Sequence, residues 1–81
     1  WKAGEGNELK ILEYFKVITE TKNFTTASNI LSVSQPDLSK AISKLEEELD
    51  IELFQRVGCN IKITEFGEVF LKYADSALSE I

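Results

Sequence analysis

Apolar residues along this chain recur first at helical spacing, then at alternating spacing, then at helical spacing again. Ile11, Leu12, Phe15 and Ile18 follow three- and four-residue steps and predict a helix over about 8–21. Lys22-Asn23 interrupts it. A short second helix follows, with Thr25 as its expected N-cap and Ala27, Ile30 and Leu31 turned inward. After a polar break, Ser34-Gln35-Pro36 opens a third helix that runs to about Leu49. Ser34 is its expected cap, and Ser-x-x-Asp, with Asp37 in the N3 place, resembles a capping box. Pro36 falls in the first turn, where a missing N–H costs nothing because those donors have no helical partner. The apolar stripe of this helix, Leu38, Ala41, Ile42, Leu45 and Leu49, covers roughly 100° of its circumference.

Past Asp50 the period shortens. Residues 53–57 and 61–63 alternate, and Gly58-Cys59-Asn60 between them is turn-like, which predicts a small β-hairpin. Thr64 caps a final helix in which Phe66, Val69, Phe70, Tyr73, Ala74, Ala77, Leu78 and Ile81 keep helical spacing throughout. Its first apolar residues, Phe66 and Val69, are expected to pack on the domain's own core. Residues 1–7, WKAGEGN, lack periodicity and are expected to form a loose arm or a leader foreign to the natural protein.

Helix, helix-turn-helix, hairpin, helix is the element order of a winged helix-turn-helix. The expected fold is mainly α, with a three-helix core, a small β-hairpin wing and a C-terminal linker helix. The winged unit would be 8–63 and the last helix 64–81. Opposite the apolar stripe of the third helix stand Pro36, Ser39, Lys40 and Ser43, with Lys44 beside them. A helix held on one face and offering small, polar and cationic residues on the other suits a DNA major groove. A small helical bundle with an ordinary solvated face has the same periodicity, so at this level both readings stand.

Length and composition narrow the choice. Eighty-one residues make one domain, and 43% hydrophobic and 28% charged residues describe a foldable chain with a charged surface. No apolar run approaches the roughly 18 residues that span a bilayer, and no signal peptide is visible, so no membrane partner is expected. The single cysteine, Cys59, forms no internal disulfide, in keeping with a reducing cytoplasm. One cysteine and no histidine argue against a zinc site, and no other cofactor is expected in this domain. The chain also lacks a Gly-rich phosphate loop and a nucleophile–base pair, so an enzyme is not expected.

The net charge of −5 runs against nucleic-acid binding, because such domains are usually basic. Its distribution matters more than its sum. Glu46, Glu47, Glu48, Asp50 and Glu52 crowd the far end of the third helix. Residues 34–45 carry Lys40 and Lys44 against Asp37, and 53–63 carry Arg56 and Lys62 with no acid. The result is a weakly basic edge with low expected non-specific affinity. A winged-helix module that binds protein and not DNA is the alternative that the acidic balance favours.

Several spaced motifs add a resemblance. Phe24-Thr25-x-Ala27, Val33-Ser34-Gln35-Pro36-x-Leu38-Ser39, Leu45-Glu46-x-x-Leu49, Leu53-Phe54-x-Arg56 and Ile63-Thr64-x-x-Gly67 stand in the order found in LysR-type transcriptional regulators, whose N-terminal domain this chain resembles over about 8–81. The resemblance implies a bacterial, cytoplasmic winged helix-turn-helix that binds double-stranded promoter or operator DNA of partial dyad symmetry. In such a protein a linker and an effector-binding domain follow, so a small-molecule effector would bind outside this domain.

Site roles follow residue by residue. Gln35 resembles the family's base-reading residue near the start of the recognition helix, able to pair bidentately with adenine. Pro36 resembles its contact to a thymine methyl. Ser39 and Lys40 resemble its base- and phosphate-contacting pair, although Arg is commoner where Lys40 stands and forks to guanine better. Thr25 and Ser34, at helix starts, are phosphate candidates through hydroxyl and backbone N–H groups, while capping alone also accounts for them. Arg56 and Lys62 are placed together on the wing, beside the minor groove or its phosphates; a solvated surface pair is the plain alternative. Asp37 departs from the family's usual small residue, and Ser28 replaces a common Ala. The family's linker helix pairs antiparallel with its copy. That implies a homodimer here, with Phe70, Tyr73, Ala77, Leu78 and Ile81 as interface candidates, and leaves open a tetramer of the full-length protein.

Overall fold

The computed structural model describes the backbone of residues 6–58 and 60–79, and the side chains from Leu9 onward within those ranges. Four helices and one hairpin follow the predicted order: α1 (Gly6–Thr21), α2 (Phe24–Leu31), α3 (Gln35–Leu49), β1 (Phe54–Val57), β2 (Asn60–Ile63) and α4 (Glu65–Ser79). α1 starts at Gly6, inside the segment expected to be a loose arm; the rest of that arm, 1–5, lies outside the described residues. None of the described helices is long and apolar enough to cross a membrane.

α1 lies at the centre and packs against α2, α3 and α4. Its Leu12, Phe15 and Ile18 are fully buried and meet Ala27 of α2, Leu38, Ile42 and Leu45 of α3, and Phe70 and Ala74 of α4. The Phe15 ring is the hub, 5.2 Å from both Phe54 and Phe70. Full burial of such a ring contributes about 1.5–3 kcal/mol. The wing therefore hangs from the core through Phe54 and Ile61 and does not float free of it.

Left-handed residues end the first three helices: Lys22, Ser32 and Asp50, each with φ near 56–57°. At α2 the N–H groups of Ser32 and Val33 turn back to the carbonyls of Asn29 and Ser28, which caps the helix and sets the tight turn to α3. The expected cap of α2 moves by two residues. Asn23 takes the place, accepting from the Thr26 N–H at 3.0 Å, while Thr25 lies within the first turn. A second correction concerns Ile30, which is 60% exposed. Ser28 occupies the inward position instead, its hydroxyl satisfied by the Thr25 carbonyl at 2.7 Å.

α3 keeps its expected cap. Ser34 accepts from the Asp37 N–H at 3.2 Å, and Pro36 stands in the first turn. The reciprocal bond of a full capping box, from the Ser34 N–H to the Asp37 carboxylate, does not form among the described residues.

The hairpin differs from expectation by one residue. Val57 pairs with Asn60, so Asn60 belongs to the strand and only positions 58 and 59 connect β1 to β2. Gly58, at φ +63°, supplies the left-handed conformation that such a short connection demands. Cys59 lies outside the described residues.

α4 departs most from its sequence reading. Thr64 does cap it, accepting from the Gly67 N–H at 3.0 Å and donating to the Glu52 carbonyl. The inward face, however, is Gly67, Phe70 and Ala74. Phe66 and Val69, expected in the core, are 59% and 69% exposed. The cause is Gly67, where a Cβ would lie 2.4 Å from the Leu53 carbonyl oxygen and 2.6 Å from Ile63. Close approach of the helix to the wing at this point turns Phe66 and Val69 outward.

Candidate nucleic-acid interface

Three elements bring their ends to one cleft of about 120 Å³. Asn23, Phe24 and Thr25 come from the start of α2, Gln35 from the first turn of α3, and Arg56 and Asn60 from the wing. Each is placed by a local cause. Asn23 caps α2 and leads Thr25 into its first turn. The turn through Ser32 sets Gln35 beside it, and Thr25 Oγ1 donates to Gln35 Oε1 at 3.3 Å. Arg56 shares the inner face of the hairpin with its partner Ile61. Its guanidinium lies 5.3 Å from the centre of the Phe24 ring, an attraction between a cation and the negative face of an aromatic. Phe24 in turn meets Phe54 edge-on at 6.2 Å. Wing, α2 and α3 are thus fixed relative to one another beneath an exposed rim.

The free face of α3 matches its sequence pattern. Leu38, Ile42 and Leu45 are buried, Ser39 is half-buried, and Gln35, Pro36, Lys40, Ser43 and Lys44 are exposed. Asp37 is exposed too, at a helix N-terminus where the backbone dipole favours an acid. Ser34 is exposed, with its hydroxyl engaged in the cap.

Lys62 does not join this group. In the observed register it pairs with Gln55, on the face of the hairpin opposite Arg56. There it borders a separate depression with Asp50, Glu52, Gln55 and Glu65. Among the dimerisation candidates, Phe70 is 8% exposed and belongs to the core, so it is not available to a partner. Ala77 and Leu78 are half-buried against that core, Tyr73 is exposed, and Ile81 lies outside the described residues.

Sequence reasoning missed two residues that shape the site. Glu46, read only as one acid in a cluster and as part of a motif, accepts from the N–H groups of Leu53 and Phe54 at 2.7 and 3.3 Å. It ties the end of α3 to the start of the wing. Phe24, read only as part of a motif, is the platform under Arg56. Its place one residue before Thr25 in a helix start was the available signal.

A helix clamped on its apolar side, preceded by a short helix through a tight turn and flanked by an anchored hairpin, defines a winged helix-turn-helix. Residues 9–68 match the family model described as the bacterial regulatory helix-turn-helix protein, lysR family, and the chain belongs to that family. It is 49% identical, over 88% of its length, to a probable RuBisCO transcriptional regulator of Thalassiosira pseudonana, covering 23% of that protein. It is 42% identical over 91% of its length to the HTH-type transcriptional regulator BenM of Acinetobacter baylyi, covering 24% of it. The crystal structure of the BenM DNA-binding domain with benA site 1 DNA superimposes with a TM-score of 0.85 at 42% identity, covering 90% of this chain and 85% of that one. The CbnR DNA-binding domain in its DNA complex gives 0.85 at 33% identity, over 89% of this chain and 83% of that one. The chain spans about a quarter of the length of these curated relatives.

Proposed function

We propose that this chain is the DNA-binding part of a transcriptional regulator and recognises double-stranded DNA by sequence. α3 enters the major groove with its first turn leading. The observation that carries this reading is the cleft that gathers Gln35, Thr25 and Arg56 at the exposed end of a helix whose other face is buried. Likeness to two domains solved with DNA supports it. Gln35, Pro36 and Ser39 read base edges, Lys40, Ser43 and Lys44 flank them, and Arg56 meets the backbone from the wing. First-turn N–H groups at Thr25 and near Ser34 make these helix starts electropositive and suited to phosphate. Lys62 holds a secondary place, because the wing turns it to the other side. The function is binding, not catalysis, in the cytoplasm of a bacterium. Effector control resides in a further domain of a longer protein, as the quarter-length coverage of the relatives suggests.

Two copies act together. The exposed apolar residues Phe66, Val69 and Tyr73 on α4 form the face we assign to the homodimer, with Ala77 and Leu78 at its edge. Binding to duplex DNA at increasing salt tests the reading. With Lys40, Lys44 and Arg56 neutralising phosphates in each of two copies, log affinity should fall against log salt with a slope of about −5. A slope near zero would contradict DNA binding and favour a protein partner.

A further inference from the structure

Thr25 and Gln35 lie on different helices, yet their side chains are joined, Oγ1 donating to Oε1 at 3.3 Å. Neither side chain makes another hydrogen bond among the described residues, and both are exposed on the rim of the same cleft. We propose that Thr25 is a positioning residue for sequence reading: its hydroxyl tethers the Gln35 amide to α2 and so limits which base edges Gln35 can reach. The inference rests on the reading of Gln35 as a base contact.

A carboxamide carries an acceptor on one branch and two donors on the other, and rotation about its last bond exchanges them. A free glutamine therefore offers either order to a groove. The Thr25 bond engages one lone pair of Oε1 and holds that oxygen toward α2, which leaves Nε2 on the far branch and the second lone pair of Oε1 for a base. In the major groove adenine shows an acceptor beside a donor, whereas guanine shows two acceptors. An amide tethered at one branch presents its other branch to a base from one position. An amide free to swing reaches other edges as well. Thr25 has one hydroxyl hydrogen, so while it donates to Gln35 that hydroxyl cannot also donate to a phosphate. Its backbone N–H, in the first turn of α2, remains for that task.

Affinities of the 81-residue chain for four duplexes, differing only at the base pair that Gln35→Ala makes immaterial, decide the matter. Thr25→Val, which removes the hydroxyl and keeps the shape, should lower the preference for the best base pair by about two- to tenfold, the equivalent of one ordinary hydrogen bond. Thr25→Ser should restore it, and Thr25→Val should add little to Gln35→Ala. An equal loss on all four duplexes would assign the hydroxyl to phosphate and overturn the inference. So would an unchanged preference in Thr25→Val. If Gln35→Ala flattens no base pair, the base-reading role of Gln35 itself falls, and the inference falls with it. Matching thermal midpoints for the two Thr25 variants would place the difference at the DNA and not in the fold.

Discussion

Gln35 stands at the first turn of α3 with its side chain exposed and its amide oxygen held from α2. Its removal should cost about 1–3 kcal/mol at the preferred DNA site and far less on random duplex, as measured by titration against both. Equal losses on the two would contradict its role. Arg56 and Lys62 make a sharper pair, since both are wing cations. Arg56→Ala should reduce the salt slope by about 0.9 for each copy, and Lys62→Ala should leave it nearly unchanged. Sequence alone assigned both to the wing and set no register between them. In a strand, one residue of register exchanges the faces, and Asn60 pairs with Val57 as part of β2. The residues of α3 were legible for the opposite reason. A buried stripe three to four residues apart determines what lies across from it, so Pro36, Lys40 and Ser43 had nowhere else to go. Asn23 escaped notice because Asn and Thr are both good caps, and two candidates two residues apart leave the choice to the tertiary turn.

At the scale of elements, α4 shows how a run of apolar positions can hide two faces. Phe66, Val69 and Tyr73 point one way, while Gly67, Phe70 and Ala74 lie about 100° around the helix and point into the core. Counting large apolar residues overlooks a glycine that belongs to the inner face by its smallness. Gly67→Ala tests that account. Helix propensity alone would favour alanine by about 1 kcal/mol. The Leu53 carbonyl stands 2.4 Å from the new methyl, so a net loss of about 1–3 kcal/mol is expected in urea unfolding. A gain in stability would show that the helix and wing can separate at no cost. Asp50 at the end of α3 has the reverse prospect, since it sits at φ 56° where glycine is at ease. Asp50→Gly should raise the unfolding free energy by about 0.5–1 kcal/mol, and the midpoint with it. A lower midpoint would show that the side chain contributes more than the backbone strain costs. Glu46 belongs to this scale as well. Its carboxylate spans α3 and β1, a tie invisible in a sequence where it is one acid among five.

Across the whole molecule the charge is divided by function. The chain carries −5 overall, yet the exposed side of α3 ahead of Glu46 presents Lys40 and Lys44, and the cleft presents Arg56. Three cations in one copy support only modest affinity, which is why we propose that two copies act together. Glutamates at both Phe66 and Val69 should therefore yield monomers in sedimentation and weaken DNA binding without unfolding the domain. An unchanged dimer mass would remove the outer face of α4 from the interface. The Lys16–Asp75 ion pair at 3.2 Å, joining α1 to α4, is too exposed to contribute much to either property. We propose that the leading ends of α3 in two symmetry-related copies read the bases. The most direct test is selection of bound sequences from random duplex DNA, run in parallel with the unsubstituted chain and Gln35→Ala. The account predicts enriched sequences with dyad symmetry, half-sites about one or more helical turns apart, and loss of preference in Gln35→Ala at one base pair of each half-site. No enrichment over the starting pool, or an identical motif from both proteins, would contradict it.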